Sequence, residues 1–195
     1  MQCRGIYSPK LTKSIIYVII VSMNFTEKIL FDKTAIAKAV KRVGAEISHD
    51  YTGKTPLFVG ILKGSFMFMA DLVREVDLPC QMEFMAAKSY GDSAVSSGVV
   101  RITKDIDADI EGRDVIIVED ILDTANTLGS VCEVLRQRNP ASLKICVFLD
   151  KKVDRKIPVE ADYVCFDIEN EFVVGYGLDY AEKYRNLPYL GTLKI

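Results

Sequence analysis

The chain has 195 residues, 49% of them apolar, with 25 Lys and Arg set against 27 Asp and Glu for a formal net charge of −2. That length supports one sizeable core and is short for two. The balanced charge, without any Lys/Arg-rich run, leaves no electrostatic footprint for nucleic acid or an anionic membrane, so small soluble partners are expected. The five cysteines, Cys3, Cys80, Cys132, Cys146 and Cys165, show no CxxC spacing. Four of them lie in apolar stretches where Cys behaves as a small core residue, which points to a reducing, cytoplasmic compartment. The single His49 stands near the end of a helix-like segment, away from any Cys cluster or nucleophile, and reads as a surface histidine. This argues against a zinc site or a Ser-His-Asp triad.

At the N-terminus, Arg4, Lys10 and Lys13 precede an apolar run from Ile15 to Val21. The order is that of a signal peptide, but the run sits at the minimum of roughly seven residues and lacks a small-residue exit. It is also too short to span a bilayer. Met23 follows directly, so residues 1–22 read as an extension upstream of an internal start, with a targeting segment as the alternative. Residues 23–195 then form one domain.

From Met23 the periodicity alternates in type. Ile36, Val40, Val43 and Ile47 recur at helical spacing, which predicts an amphipathic helix over residues 34–51. PLFVGIL (56–62) is a short continuous apolar run broken at Lys63-Gly64, and SFMFMADLVREV (65–76) resumes helical character. CQMEFMAAK (80–88), a polar Gly/Ser stretch, a strand VVRITK, the turn DIEGRD and the buried-type strand VIIVED (115–120) come next. A helix over residues 126–138 carries Leu128, Val131, Cys132 and Leu135 on one face, and LKICVFLD (143–150) and YVCFDI (163–168) read as strands. Such alternation predicts an α/β fold: an open, mostly parallel twisted sheet flanked by helices, with ligands outside the carboxyl ends of its strands.

That rule places two loops on one rim: LKGS after the first of these strands and EDILDTANT after the strand through Val118. In the second, Asp123-Thr124-Ala125-Asn126-Thr127 can turn backbone N–H groups toward a phosphate at a helix start, with the helix dipole supplying positive potential. No Lys is needed. Glu119 and Asp120 then need other partners, such as a sugar diol contacted directly or through a divalent ion, while Asp123 faces a group beside the sugar. A ribose 5-phosphate unit satisfies that string of residues. Taken singly, each acid is a solvated strand end or a helix cap.

These residues resemble the ribose-phosphate motif of the type I phosphoribosyltransferases, and from about Asn24 onward the chain is similar to their 6-oxopurine (hypoxanthine-guanine) branch. Four blocks carry the likeness in the family's order. VEDILDTANT resembles the phosphate loop, LKGS the pyrophosphate loop and KSYGD (88–92) the start of a mobile catalytic loop. FVVGYGLDYAEKYRNLPYLG (172–191), with Lys151, resembles a small hood over the purine site. One block alone would leave adenine, orotate and uracil enzymes open, and the hood narrows the choice to 6-oxopurines. Ala125 departs from the Gly that many relatives carry, at some cost in backbone freedom.

The resemblance implies a Mg²⁺-dependent glycosyltransferase of purine salvage. It would move the 5-phosphoribosyl group of phosphoribosyl pyrophosphate to N9 of hypoxanthine or guanine, giving IMP or GMP and pyrophosphate. Glu119 and Asp120 would hold the ribose hydroxyls and, with Asp179, the Mg²⁺ shell. Thr124 to Thr127 would hold the 5-phosphate, and Asp123 would act as acid or base near purine N7 or orient the base. The Leu62–Lys63 peptide would be cis, with Lys63, Gly64 and Arg185 on pyrophosphate. Lys151 would donate to the 6-oxo oxygen, Phe172 would stack on the purine, and the Val173 backbone would read its edge. Ser89 and Tyr90, on a loop hinged at Gly91 and Gly98, would close over the anomeric carbon. A homodimer or homotetramer, cytoplasmic, without nucleic-acid or membrane partners, completes the expectation.

Two other classes compete: a regulator that senses the ligand with the same fold, and a phosphoacceptor receiver domain. The segment Lys88-Ser89-Tyr90 and the hood favour the enzyme over the first, and LKGS with DTANT fits the second poorly. Residues 1–22 contribute none of the site residues, so a chain starting at Met23 is expected to match the full chain in activity and unfolding midpoint. Insolubility or loss of activity on that truncation would contradict the reading.

Overall fold

In the run Leu57-Phe58-Val59-Gly60-Ile61 every residue is buried, a pattern that suits a strand covered on both faces. Phe58 packs into one core layer, while Leu57, Val59 and Ile61 pack into another. The computed structural model, which describes residues 26, 28–89, 100–155 and 157–193, builds its main sheet on this principle. The strands β2 (Leu57–Leu62), β3 (Gln81–Ser89), β4 (Val100–Lys104), β5 (Asp114–Leu122), β6 (Ser142–Lys151) and β7 (Tyr163–Ile168) form six strands in the order β4-β3-β2-β5-β6-β7. Only β4 runs antiparallel to its neighbour. β5 alternates as β2 does, with Ile116 and Val118 facing one layer and Val115 and Ile117 the other.

The first layer is closed by α1 (Lys33–Asp50) and α2 (Phe66–Glu75), and the second by α3 (Asn126–Arg136). Asp32 caps α1 by accepting from the Ala35 N–H at 2.8 Å, satisfying one of the orphan donors of the first turn. Ile36, Val40, Val43 and Ile47 are buried in the first layer, and Leu128, Val131, Cys132 and Leu135 in the second, as the spacing predicts. The α3 helix stops at Arg136, two positions short of the predicted end. Asn139 adopts φ 53 and is followed by Pro140, which has no N–H to continue the ladder. β5 instead runs past the predicted Asp120 to Leu122, whose side chain is fully buried.

Three short strands escaped the periodicity: β1 (Lys28–Phe31), β8 (Val173–Val174) and β9 (Leu190–Thr192). They make a small antiparallel sheet, β1-β9-β8, that forms the hood. Strands this short carry too few alternations to register as a pattern. The hood shares the first core layer rather than standing apart. Phe31 stacks on Phe166 at 3.8 Å between ring centroids, and Tyr176 lies 4.8 Å from Phe148 and donates its hydroxyl to Asp71 of α2 at 2.7 Å. Among the described residues, His49 is exposed, Cys132, Cys146 and Cys165 are buried, and Cys80 is half-buried. No described helix is long and apolar enough to cross a membrane.

Phe148 is fully buried and joins sheet, α2 and hood through Phe68, Phe166 and Tyr176. Phe148→Ala should therefore lower the unfolding free energy by roughly 3–5 kcal/mol in urea titrations. A change under about 1 kcal/mol would show that the hood is not part of the same core.

Candidate active site

The parallel register carries the strand ends to one rim. Leu122, the last residue of β5, stands opposite Asp150 of β6, and Lys151 of β6 stands opposite Ile168 of β7. On the other side, β2 ends at Leu62 opposite Ala86 of β3. Chain segments that leave these strands, at Lys63, Asp123 and Lys152, therefore emerge side by side. The hood segment after Val173 folds down onto the same rim.

At the floor, Glu119 and Asp120 form a half-buried acidic pair. Burial pushes the Glu119 carboxyl well above the usual carboxylate range, and the neighbouring Asp120 charge pushes it further. Burial also raises Asp120, opposed by hydrogen bonds from Glu119 and from backbone N–H groups, including that of Ile121 at 2.8 Å. Glu119 Oε2 is left buried without a hydrogen-bond partner, an acceptor oriented for something the protein itself does not supply. Gly64 lies against Asp120 so closely that a Cβ there would overlap the carboxylate. Gly177, at φ 104, lies in turn against the Gly64 carbonyl, so hood and rim meet backbone to backbone. The Leu62–Lys63 peptide bond is cis, as the resemblance implies.

Beyond Leu122 the chain turns through Asp123 and Thr124 into α3. Ala125 sits at the N-cap with φ 65, in the left-handed region, and no side chain caps the helix. The first turn of α3 thus presents backbone N–H groups and the positive end of the helix dipole without a competing acceptor from its cap residue. Ala125 adopts the conformation for which Gly is favoured, and its methyl is buried in the second core layer, which offsets the steric cost.

The base end is a cleft of about 230 Å³ lined by Asp120, Asp123, Lys151, Phe172, Val173 and Asp179, among others. Lys151 Nζ lies 3.4 Å from Asp123 Oδ2, with the lysine side chain 11% exposed. This contact between residues on different strands was not foreseen in the sequence. The Phe172 ring is 41% exposed, unusual for a large apolar side chain, and its edge-to-face partner is Tyr180 at 5.7 Å. Val173 is buried. Arg185 pairs with Asp179 at 2.8 Å and reaches Glu182 at 3.5 Å, while its Nε is buried without a partner. Lys63 pairs with Glu182 at 3.0 Å. Among the described residues no three His, Cys, Asp or Glu side chains gather closely enough to hold a metal alone. Asp179 is thus engaged with Arg185 rather than grouped with Glu119 and Asp120.

Ser89 closes β3, its side chain outside the described set, and Tyr90, Gly91 and Gly98 lie outside the described residues altogether. Thr124 precedes the Ala125 N-cap, and Asn126 and Thr127 open the first turn of α3. Sequence reasoning missed Arg155, hidden in the charge run KKVDRK, whose guanidinium bonds to the Leu122, Asp123 and Lys151 carbonyls. Nothing in that run distinguishes the half-buried arginine from the exposed Lys152 and Asp154.

Residues 27–181 match the model of the phosphoribosyl transferase domain family. The hypoxanthine-guanine phosphoribosyltransferase of Streptococcus pneumoniae is 51% identical over 171 residues, covering 88% of this chain and 95% of its own. That of Bacillus subtilis is 51% identical over 168 residues, covering 86% and 93%. A crystal structure of the hypoxanthine phosphoribosyltransferase of Staphylococcus aureus superposes with a TM-score of 0.86 at 48% identity, covering 89% of this chain and 95% of the other. The chain belongs to the phosphoribosyltransferase family. Within it, these relatives put the chain in the hypoxanthine-guanine branch, as an enzyme of purine salvage.

Gly64→Ala provides a direct check on the floor of the site. The new methyl would force the Asp120 carboxylate off its hydrogen bond with Ile121 while leaving the core layers intact. Phosphoribosyl transfer should fall by at least about tenfold, with little change in unfolding midpoint. Wild-type kinetics in that variant would show that the Asp120 position is immaterial.

Proposed function

We propose that this rim binds phosphoribosyl pyrophosphate and a 6-oxopurine, and transfers the 5-phosphoribosyl group to N9 of hypoxanthine or guanine to give IMP or GMP and pyrophosphate. The observation that carries the reading is the shared cleft, in which the Asp120 carboxylate, suited to a ribose hydroxyl, the Asp123–Lys151 pair and the exposed Phe172 line one space. A lysine-to-arginine mutant of the hypoxanthine phosphoribosyltransferase of Trypanosoma cruzi, 44% identical with a TM-score of 0.82 over 87% of this chain and 96% of its own, is seen in a ternary complex with its substrates.

In this reading the first turn of α3 and the hydroxyls of Thr124 and Thr127 hold the 5-phosphate. Asp120 and the orphaned Glu119 Oε2 accept from the ribose hydroxyls. Lys63, the Gly64 backbone and Arg185 hold the pyrophosphate, whose arrival displaces Glu182 from both cations. Ser89 and Tyr90 cover the anomeric carbon and exclude water. The purine slides onto Phe172 and separates Asp123 from Lys151: the ammonium donates to the 6-oxo oxygen, and the Asp123 carboxylate faces N7–H. The Val173 backbone reads the position-2 edge. N9 attacks the anomeric carbon as its bond to pyrophosphate breaks, the leaving group keeping the electron pair while the N7 proton passes to Asp123. The transition state has oxocarbenium character, and fixed positions and charges do most of the work.

Glu119 and Asp120 are hard oxygen donors, and Glu119 Oε2 has no partner within the protein, which suits Mg²⁺; these two residues would hold the ion, with support from Asp179. Such an ion would neutralise charge on the departing pyrophosphate.

An ammonium cannot accept a hydrogen bond, so the amino group of adenine finds no partner at Lys151. Turnover should depend on Mg²⁺, use hypoxanthine and guanine, and reject adenine. Lys151→Ala should cost hypoxanthine about 1.5–3 kcal/mol of transition-state binding, a ten- to hundredfold loss in kcat/KM. Adenine used as well as hypoxanthine, or a variant with normal hypoxanthine kinetics, would remove Lys151 from the site.

A further inference from the structure

We infer that Arg155 is a positioning residue for the transfer, a guanidinium clamp that holds the phosphate loop and the base-reading lysine in fixed relation. The inference rests on the function proposed above and adds to it a residue with no assigned role. The β5–β6 ladder ends with Leu122 opposite Asp150. One residue further along each strand stand Asp123 and Lys151, beyond that last cross-strand pair. The Arg155 side chain, 18% exposed, spans the gap. Its Nε donates to the Asp123 carbonyl at 2.9 Å, and its Nη2 donates to the Leu122 carbonyl at 3.1 Å and the Lys151 carbonyl at 2.8 Å. The Asp150 carboxylate accepts from the same Nη2. Two of these carbonyls belong to the chain entering the phosphate loop, and the third belongs to the residue assigned to the 6-oxo group.

The guanidinium reaches these acceptors from two nitrogens held apart in one plane, Nε and Nη2, whereas the three donors of a lysine all radiate from one atom and cannot reproduce that spacing. The Asp123 and Lys151 side chains, 3.4 Å apart, have to separate to admit a purine. Their backbones must meanwhile stay in place, or the N7 and 6-oxo contacts cannot form together. Arg155 thus touches neither substrate and acts through Asp123 and Lys151. Misplacement of such groups by about 1 Å can cost on the order of a hundredfold in rate.

The test is a double-mutant cycle with Arg155→Lys and Lys151→Ala, using hypoxanthine turnover in the full chain as readout. Arg155→Lys should keep the fold and lower kcat for hypoxanthine by about tenfold or more. Lys151→Ala should cost clearly less in that background than in the wild type, because the contact it removes is already misplaced. Arg155→Ala supplies a second arm, in which millimolar guanidinium should restore part of the lost kcat, an effect that general destabilisation would not produce. Wild-type kcat and KM in Arg155→Lys, or losses that simply multiply in the double variant, would overturn the assignment while leaving the proposed function standing. If Arg155→Ala does not fold, the lysine cycle decides by itself. A wild type without hypoxanthine turnover would overturn both.

Discussion

From Val115 to Val118, β5 is buried on both faces, and that double burial pins its register against β2 and β6. A slip of one residue would exchange the side chains of the two core layers, moving Ile116 and Val118 out of contact with Phe58 and Phe148. The site inherits that constraint. Asp123 meets Lys151 because Leu122 is fixed opposite Asp150, and Gly64 meets Asp120 because β2 and β5 share a ladder from Leu57 to Gly60. Stability of the core and geometry of the rim are thus one property expressed at two ends of the same strands.

The unliganded rim neutralises itself. Lys151 rests on Asp123, Arg185 on Asp179, and Lys63 on Glu182. Each cation thereby has a carboxylate partner that an anionic or oxo-bearing ligand could replace, and each carboxylate is released toward a donor or a metal ion. Such exchange keeps the net electrostatic change of binding small while preserving direction, and the Lys63–Glu182 pair, exposed on both sides, is the easiest of the three to part. The Glu119–Asp120 pair is different. Burial raises both carboxyls, and the Asp120 charge raises Glu119 further, so charging the two together is costly.

The fold was largely readable in advance. The continuous apolar runs of β2 and β5, and the helical spacing of Ile36, Val40, Val43 and Ile47, record which residues are buried, and burial is a local property of the pattern. The ends of elements were less so, because the stop of α3 depends on the backbone of Asn139 and the extension of β5 on the burial of Leu122. The hood strands left almost no trace. β8 has two residues and β9 three, and their pairing comes from the path of the chain between Val173 and Leu190.

Ordered loops and residue types were determined by sequence alone: a Thr-rich turn behind two acids, LKGS on the same rim, Lys151 and Phe172 in the order of a known family. Those features reside in single contiguous segments, where chemistry and spacing can be read together. What tertiary structure decided is which segments face one another. The Asp123–Lys151 contact, the approach of Gly177 to Gly64 and the Arg155 clamp each join residues from separate segments, and no charge run announces which of its members will be buried. Those partners are selected by strand register and by the descent of the hood, both consequences of packing the whole core, and so they become visible only once the chain is folded.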